Sequence, residues 1–236
     1  ISEALVTETR SASDVDLDSL AMGMGMVAMR GANVQLAKAV LEHNVYAGIL
    51  VQHEETQLNA ENVVVRQTYP GQLENHGGAG LLFMGGNATI NKAYVVENHH
   101  SGVLATAGIY GEESQPSIVS LSNTVIEQTK GLDLPGLGMG LVARHYSQVT
   151  VTQSRIANNR SVGVWSVQGS QVSLESVSVH ATHTDEITGQ LGIGVQAAAA
   201  GQVEIIQSYI TGNERSAVQS YGAETSIVIL ESMIAG

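Results

Sequence analysis

Apolar and polar residues alternate along this chain in short bursts, and the bursts recur at a nearly constant distance from a glycine. In Gly140 to Asn159, GLVARHYSQVTVTQSRIANN, the glycine opens a short strand and a turn follows. A second strand then alternates through Val149 and Val151, and an asparagine corner closes the unit. The same opening falls at Gly25, Gly48, Gly80, Gly102, Gly140, Gly163 and Gly194, with Ala217 in the eighth place, at steps of 23, 32, 22, 38, 23, 31 and 23 residues. Short and long units alternate, so the natural repeat is a pair. Alternation at period two marks a strand with one buried face, and self-similarity at this spacing marks a stack of small supersecondary units.

Within each unit the second strand repeats as Val34/Leu36, Leu58/Ala60, Ala88/Ile90, Val119/Leu121, Val149/Val151, Val172/Leu174, Val203/Ile205 and Ile227/Ile229. A corner residue follows (Ala39, Val63, Ala93, Thr124, Ser154, Val177, Ser208, Ser232), and two positions on comes a further buried site such as Val65, Ile126, Ile156, Val179 or Ile210. A unit of about 22 residues is too short for a strand with a crossover helix. It fits one turn of an all-β solenoid with three short strands per turn, three parallel sheets and no helix. About eight turns stacked at 4.8 Å make a rod of roughly 40 Å. The last corner carries Asn44, Asn98, Asn159 and Asn213 in short units and Thr68, Thr129 and Thr182 in long ones. An asparagine ladder from one such turn to the next equivalent turn is expected there, because corner backbone groups need partners.

The pattern G-[IVL]-x-[VA] … [VI]-x-[LVI]-x-x-[ST]-x-[IV]-x-x-N, as in Gly163 to Val167 and Val203 to Asn213, resembles the right-handed parallel β-helix repeat of pectin-lyase-like proteins. It is similar in particular to the repeat arrays of bacterial surface and secreted proteins, over residues 20–236. The resemblance implies a single β-helix domain over 1–236 at an extracellular or bacterial cell-surface location; because the sequence opens at Ile1 without an initiator Met and stops in the strand-like run Ser226 to Ile234, it is expected to be a fragment of a longer chain. Function does not follow, because one fold carries many activities.

The long units differ from the short ones after the last strand. There RQTYPGQLENHGG, EQTKGLDLPGLGM and HATHTDEITGQL are inserted, with TRSASDVDLDSLAMG as a fourth member and Ile109–Pro116 as a further insert between first and second strands. If the residue after each opening glycine points inward, the next points outward, and that row reads Val27, Leu50, Leu82, Leu104, Val142 and Trp165. So large an apolar stripe exceeds what monomers leave open. It is covered by the inserts, by a second copy or protein partner, or by an apolar ligand.

Composition narrows the chemistry. A net charge of −12 with only 10 Lys and Arg argues against a nucleic-acid or anionic-membrane partner. The absence of Cys excludes disulfides and thiolate metal sites, and no apolar run reaches the length of a membrane span. The resemblance suggests polysaccharide-active sites, but the carboxylate clusters such enzymes use, and strings such as NTD, GHG and DPHE, do not occur. The remaining candidates lie on inserts: Asp133, His180, His183, Asp185 and Glu186 meet if neighbouring inserts fold together. Arg144 and His145 face Thr106 and Val167 on neighbouring turns, and Asp14, Asp16 and Asp18 resemble the start of a Ca²⁺ loop that lacks its glycine and its closing Glu. The expectation is therefore a structural or interaction module with no catalytic residue, no metal site and no cofactor other than Ca²⁺. A carbohydrate-active or carbohydrate-binding β-helix, with its site on the inserts, is the alternative.

Overall fold

A computed structural model describes residues 4–7, 23–71, 77–108, 115–131 and 137–236. Those residues form 22 strands and no helix. Every pairing between named strands is parallel, and each strand pairs with its equivalent one turn away. The first face is an eight-stranded sheet running from Met26–Met29 through Ala47–Gln52, Ala79–Met84, Ser101–Thr106, Met139–Ala143, Val162–Val167 and Ile193–Ala198 to Ser216–Tyr221. The second strands pair in the register that alternation sets, with Val149 between Val119 and Val172 and Val151 between Leu121 and Leu174. Third-strand residues Val65, Val95, Ile126, Ile156, Val179 and Ile210 lie in one column. The core fills the space between the faces with one such side chain per strand per turn, and Ile49, Leu81, Leu121, Ile126, Leu174 and Ile205 are fully buried.

The expected three sheets appear as two hydrogen-bonded sheets, and the corner residue explains the difference. In the first turns the corner is Ala39, Val63 or Ala93, and a single ten-residue strand runs through it, as in Asn33–Glu42, Gln57–Arg66 and Asn87–Val96. From Thr124 onward the corner residues are Thr124, Ser154, Val177, Ser208 and Ser232, and hydroxyls enter the backbone pairing at Ser154 and Ser208. Ser154 Oγ accepts the Thr124 N–H at 2.9 Å and donates to the Thr152 carbonyl at 2.6 Å; Ser208 does the same for Val177 and Ile206 at 3.0 and 2.7 Å. The backbone ladder is interrupted there, and the sheet forks beyond Asn87–Val96 into separate second and third faces. The bend itself is made by one left-handed residue per turn, at Lys38, Asn62, Lys92, Asn123, Gln153, Ser176, Gln207 and Glu231, with φ between 48° and 58°.

The closing corner also differs from expectation. Asn98, Asn159 and Asn213 are buried but do not bond to one another. Their Oδ1 atoms accept the backbone N–H of Thr68, Thr129 and Thr182, one turn below, at 3.1, 3.0 and 3.0 Å. Asn98 and Asn159 also donate Nδ2 to the carbonyls of Val65 and Ile126 at 3.4 and 3.2 Å. Asparagine reaches only its immediate neighbour because the next asparagine is two rungs away. The ladder thus joins each long turn to the short turn above it, the same pair that the sequence repeats.

The inserts leave the rod from this corner as pinched necks. Pro70 bridges Gly77 and Thr184 bridges Leu191, both antiparallel. The chain re-enters at Gly78, Gly138 and Gly192, whose N–H groups bond to the carbonyls of Tyr46, His100 and Ser161 in the short turns below. Their φ values of 87°, 89° and 77° are open to glycine and strained for other residues.

Candidate functional site

The outer row of the first face is closed within the chain. Leu50, Leu82, Leu104 and Val142 are 3, 4, 6 and 2 % exposed. They form a second apolar cluster with Ala47, Ala79, Met84, Met139 and Val162, against which Met24, Tyr46, Leu137 and Trp165 pack. Residues just ahead of the strands fold over the stripe, so these four positions offer no open docking face. Val27, at 41 % exposed, and the half-buried Trp165 keep some contact with solvent.

Of the five insert residues grouped from sequence, four are described, and each of these is engaged by its own partner. Asp133, like Asp14, Asp16 and Asp18, lies outside the described residues. His180 belongs not to an insert but to the third strand Ser178–His180, where its Nδ1 meets Ser178 Oγ at 2.9 Å. His183 Nδ1 donates to Glu214 Oε1 at 2.9 Å. Asp185 is buried and organises the insert turn, its Oδ1 accepting the N–H groups of Ile187 and Thr188 at 3.1 and 2.8 Å and the Thr188 hydroxyl at 2.9 Å. Glu186 pairs with Arg160. Among the described residues no three His, Asp or Glu side chains are grouped to hold a metal.

The third face holds the polar cluster that sequence inspection misses. Glu127 is 6 % exposed and lies between two partners from adjacent turns: the Tyr94 hydroxyl donates to Oε1 at 2.6 Å, and Arg155 Nη2 stands 2.6 Å from Oε2. The bond to Glu127, then burial, raises the Tyr94 phenol above its usual range, so it remains a donor. His180 lies two rungs above Glu127, with Ala157 between them. Burial, then the Arg155 charge, lowers its pKa. Beside Arg155 a groove of about 620 Å³ runs up the corner, lined by Asn123, Gln153, Ser176, Ser178, Gln207 and Tyr209. Tyr94 and Tyr209 are 40 and 57 % exposed and occupy one column, with Val125, Arg155 and Ser178 between them. The signal was available in the sequence: once Val95, Ile126, Ile156, Val179 and Ile210 are aligned as the buried column, their flanking residues give these two polar columns. The Tyr94 hydrogen bond and the Arg155 ion pair engage both carboxylate oxygens of Glu127 within the cluster.

The family of right-handed β-helix regions matches residues 25–233, nearly the whole described rod. The chain belongs to that right-handed β-helix family. No curated protein and no solved structure gives a significant match. Among the described residues of this β-helix no helix is long and apolar enough to cross a membrane.

One β-helix insert is fastened by a titratable anchor. Glu214 accepts from His183, and its Oε2 accepts the Thr184 N–H at 2.6 Å. The His183 bond, then the Thr184 backbone and side-chain bonds, hold its pKa at about 2, against an ordinary 4.5. A depressed carboxyl stabilises fully above its unfolded-state value and loses that contribution as pH falls through its folded-state value. The insert anchor is therefore expected to hold at pH 5 and to release between about 4.5 and 2. Carboxyl-resolved NMR titration of Glu214 checks this; a midpoint near 4.5 removes the anchor.

Proposed function

We propose that this β-helix is a non-enzymatic structural and interaction module, acting outside the cell or at a bacterial cell surface. The observation that carries this reading is the commitment of its buried polar side chains to joining turns: Asn98, Asn159 and Asn213 bridge each long turn to the short turn above it, and Glu127 is held between Tyr94 and Arg155 from the turns on either side. The pair-by-pair ladder supports a role in setting length.

An activity screen against pectate, alginate, chondroitin and neutral glycans, with and without Ca²⁺, tests it. No turnover is expected; turnover that is lost in His180→Ala overturns the non-enzymatic reading.

A second reading, carbohydrate binding, is favoured by the third-face groove, lined by Tyr209, Arg155, amides and hydroxyls, with Tyr94 exposed in the same column just beyond it. Aromatic faces with polar groups between them suit a polyhydroxylated chain lying along the rod. Tyr209→Ala should abolish any glycan binding seen in a screen run with and without Ca²⁺. His180→Ala is the appropriate probe of turnover, because loss of Asp185 would also dismantle its turn.

A further inference from the structure

On two adjacent rungs the outer first face carries an arginine with no carboxylate partner among the described residues and a buried indole N–H with no acceptor. Arg144 follows the strand Met139–Ala143, two residues after Val142 and on the same side of the sheet, and Val142 is in register with Trp165. Arg144 and Trp165 are therefore diagonal neighbours on one face, within reach for a long side chain and an aromatic ring. Arg144 Nε makes one long hydrogen bond, 3.4 Å, to Thr106 Oγ1, a hydroxyl that also meets His145 Nδ1 at 2.9 Å. Arg66, Lys92, Arg155 and Arg160 each pair with a carboxylate, whereas among the described residues none lies within ion-pair distance of Arg144. Beside it, the Trp165 Nε1–H is buried and has no acceptor. Burial lowers the Arg144 pKa, while the nearby Tyr46 phenol raises it, yet a guanidinium remains charged under any ordinary condition. A half-buried cation without a carboxylate and an orphaned indole donor on the adjacent rung are both served by one anion that accepts from both.

We propose that Arg144 and Trp165 form a binding site for an oxyanion, a carboxylate, sulfate or phosphate group that accepts from the guanidinium fork and the indole N–H, with Thr106 orienting the arginine. Planar bidentate recognition is what guanidinium offers and ammonium does not.

Trp165 is the sole tryptophan of the chain, so its indole resonance reports on this site alone. Nitrogen-15-labelled protein is titrated with sodium acetate, sulfate and phosphate at constant ionic strength, with sodium chloride as control. A saturable shift of the indole N–H with at least one oxyanion and not with chloride is expected, the three arms ranking carboxylate against tetrahedral anions. Affinity should fall by about tenfold or more in Arg144→Gln, because charge-assisted bidentate bonds are the strong ones. Trp165→Phe, which keeps the ring and removes the donor, should weaken binding as read by calorimetry. A linear shift matching chloride, as for an indole bonded to water alone, overturns the proposal; so does an affinity unchanged in either variant.

Discussion

Gly140→Ala is expected to lower stability by about 2 kcal/mol or more, although replacing glycine in a strand ordinarily stabilises by about 0.5–1 kcal/mol. The reason is inward packing rather than backbone conformation. A Cβ at Gly140 would stand 2.5 Å from the Gly163 carbonyl oxygen, 2.7 Å from Asn159 Nδ2 and 2.8 Å from Ile156 Cγ2. The two side-chain tips can yield. The carbonyl cannot, because it belongs to the next rung of a parallel sheet, and Gly163 in turn stands under Gly194, whose oxygen would lie 2.6 Å from a Gly163 Cβ. Each opening glycine is thus required by the one above it. For a chain of this size a 2 kcal/mol loss shifts the melting midpoint by about 4–8 °C. A Gly140→Ala melt equal to or above that of the parent, measured by circular dichroism, would sink the packing argument.

The rungs were legible because period two and a recurring glycine overdetermine the register: a one-residue slip would turn Val149 and Val151 out and Thr150 in. Ser154, Asn159 and Glu127 show where legibility stops. That Ser154 is a corner residue can be read from the sequence; that its hydroxyl displaces a backbone bond and splits the sheet depends on distances of tenths of an ångström. Glu127 meets Tyr94 and Arg155 from turns about 30 residues away on either side, so no local string announces the cluster. Asp185 and Glu186 illustrate the reverse error. Acidic residues next to histidines resemble a site in sequence, but here one organises its own turn and the other pairs with Arg160.

Asn159→Ala is the second large expected effect, a loss of about 2–5 kcal/mol, because it strands two buried backbone groups at once. Asn159 is fully buried; its Oδ1 is the acceptor for the Thr129 N–H at 3.0 Å, and its Nδ2 is the donor to the Ile126 carbonyl at 3.2 Å. Threonine, which occupies this corner in alternate turns, is no substitute. The hydroxyls of Thr68, Thr129 and Thr182 are themselves buried without a partner, so Thr at position 159 would leave the same two backbone groups unpaired. Asn159→Thr should therefore be nearly as damaging as Asn159→Ala. Thr129→Val, which removes an unpaired hydroxyl at almost constant shape, should be neutral or stabilising by up to about 1–2 kcal/mol. Amide hydrogen exchange separates a local effect from general loosening: the Thr129 amide should lose protection in Asn159→Ala more than the rungs around Ile205 do. Equal protection at Thr129 in parent and variant, or a Thr129→Val chain less stable than the parent, would show that this corner is held by something other than the asparagine bridge.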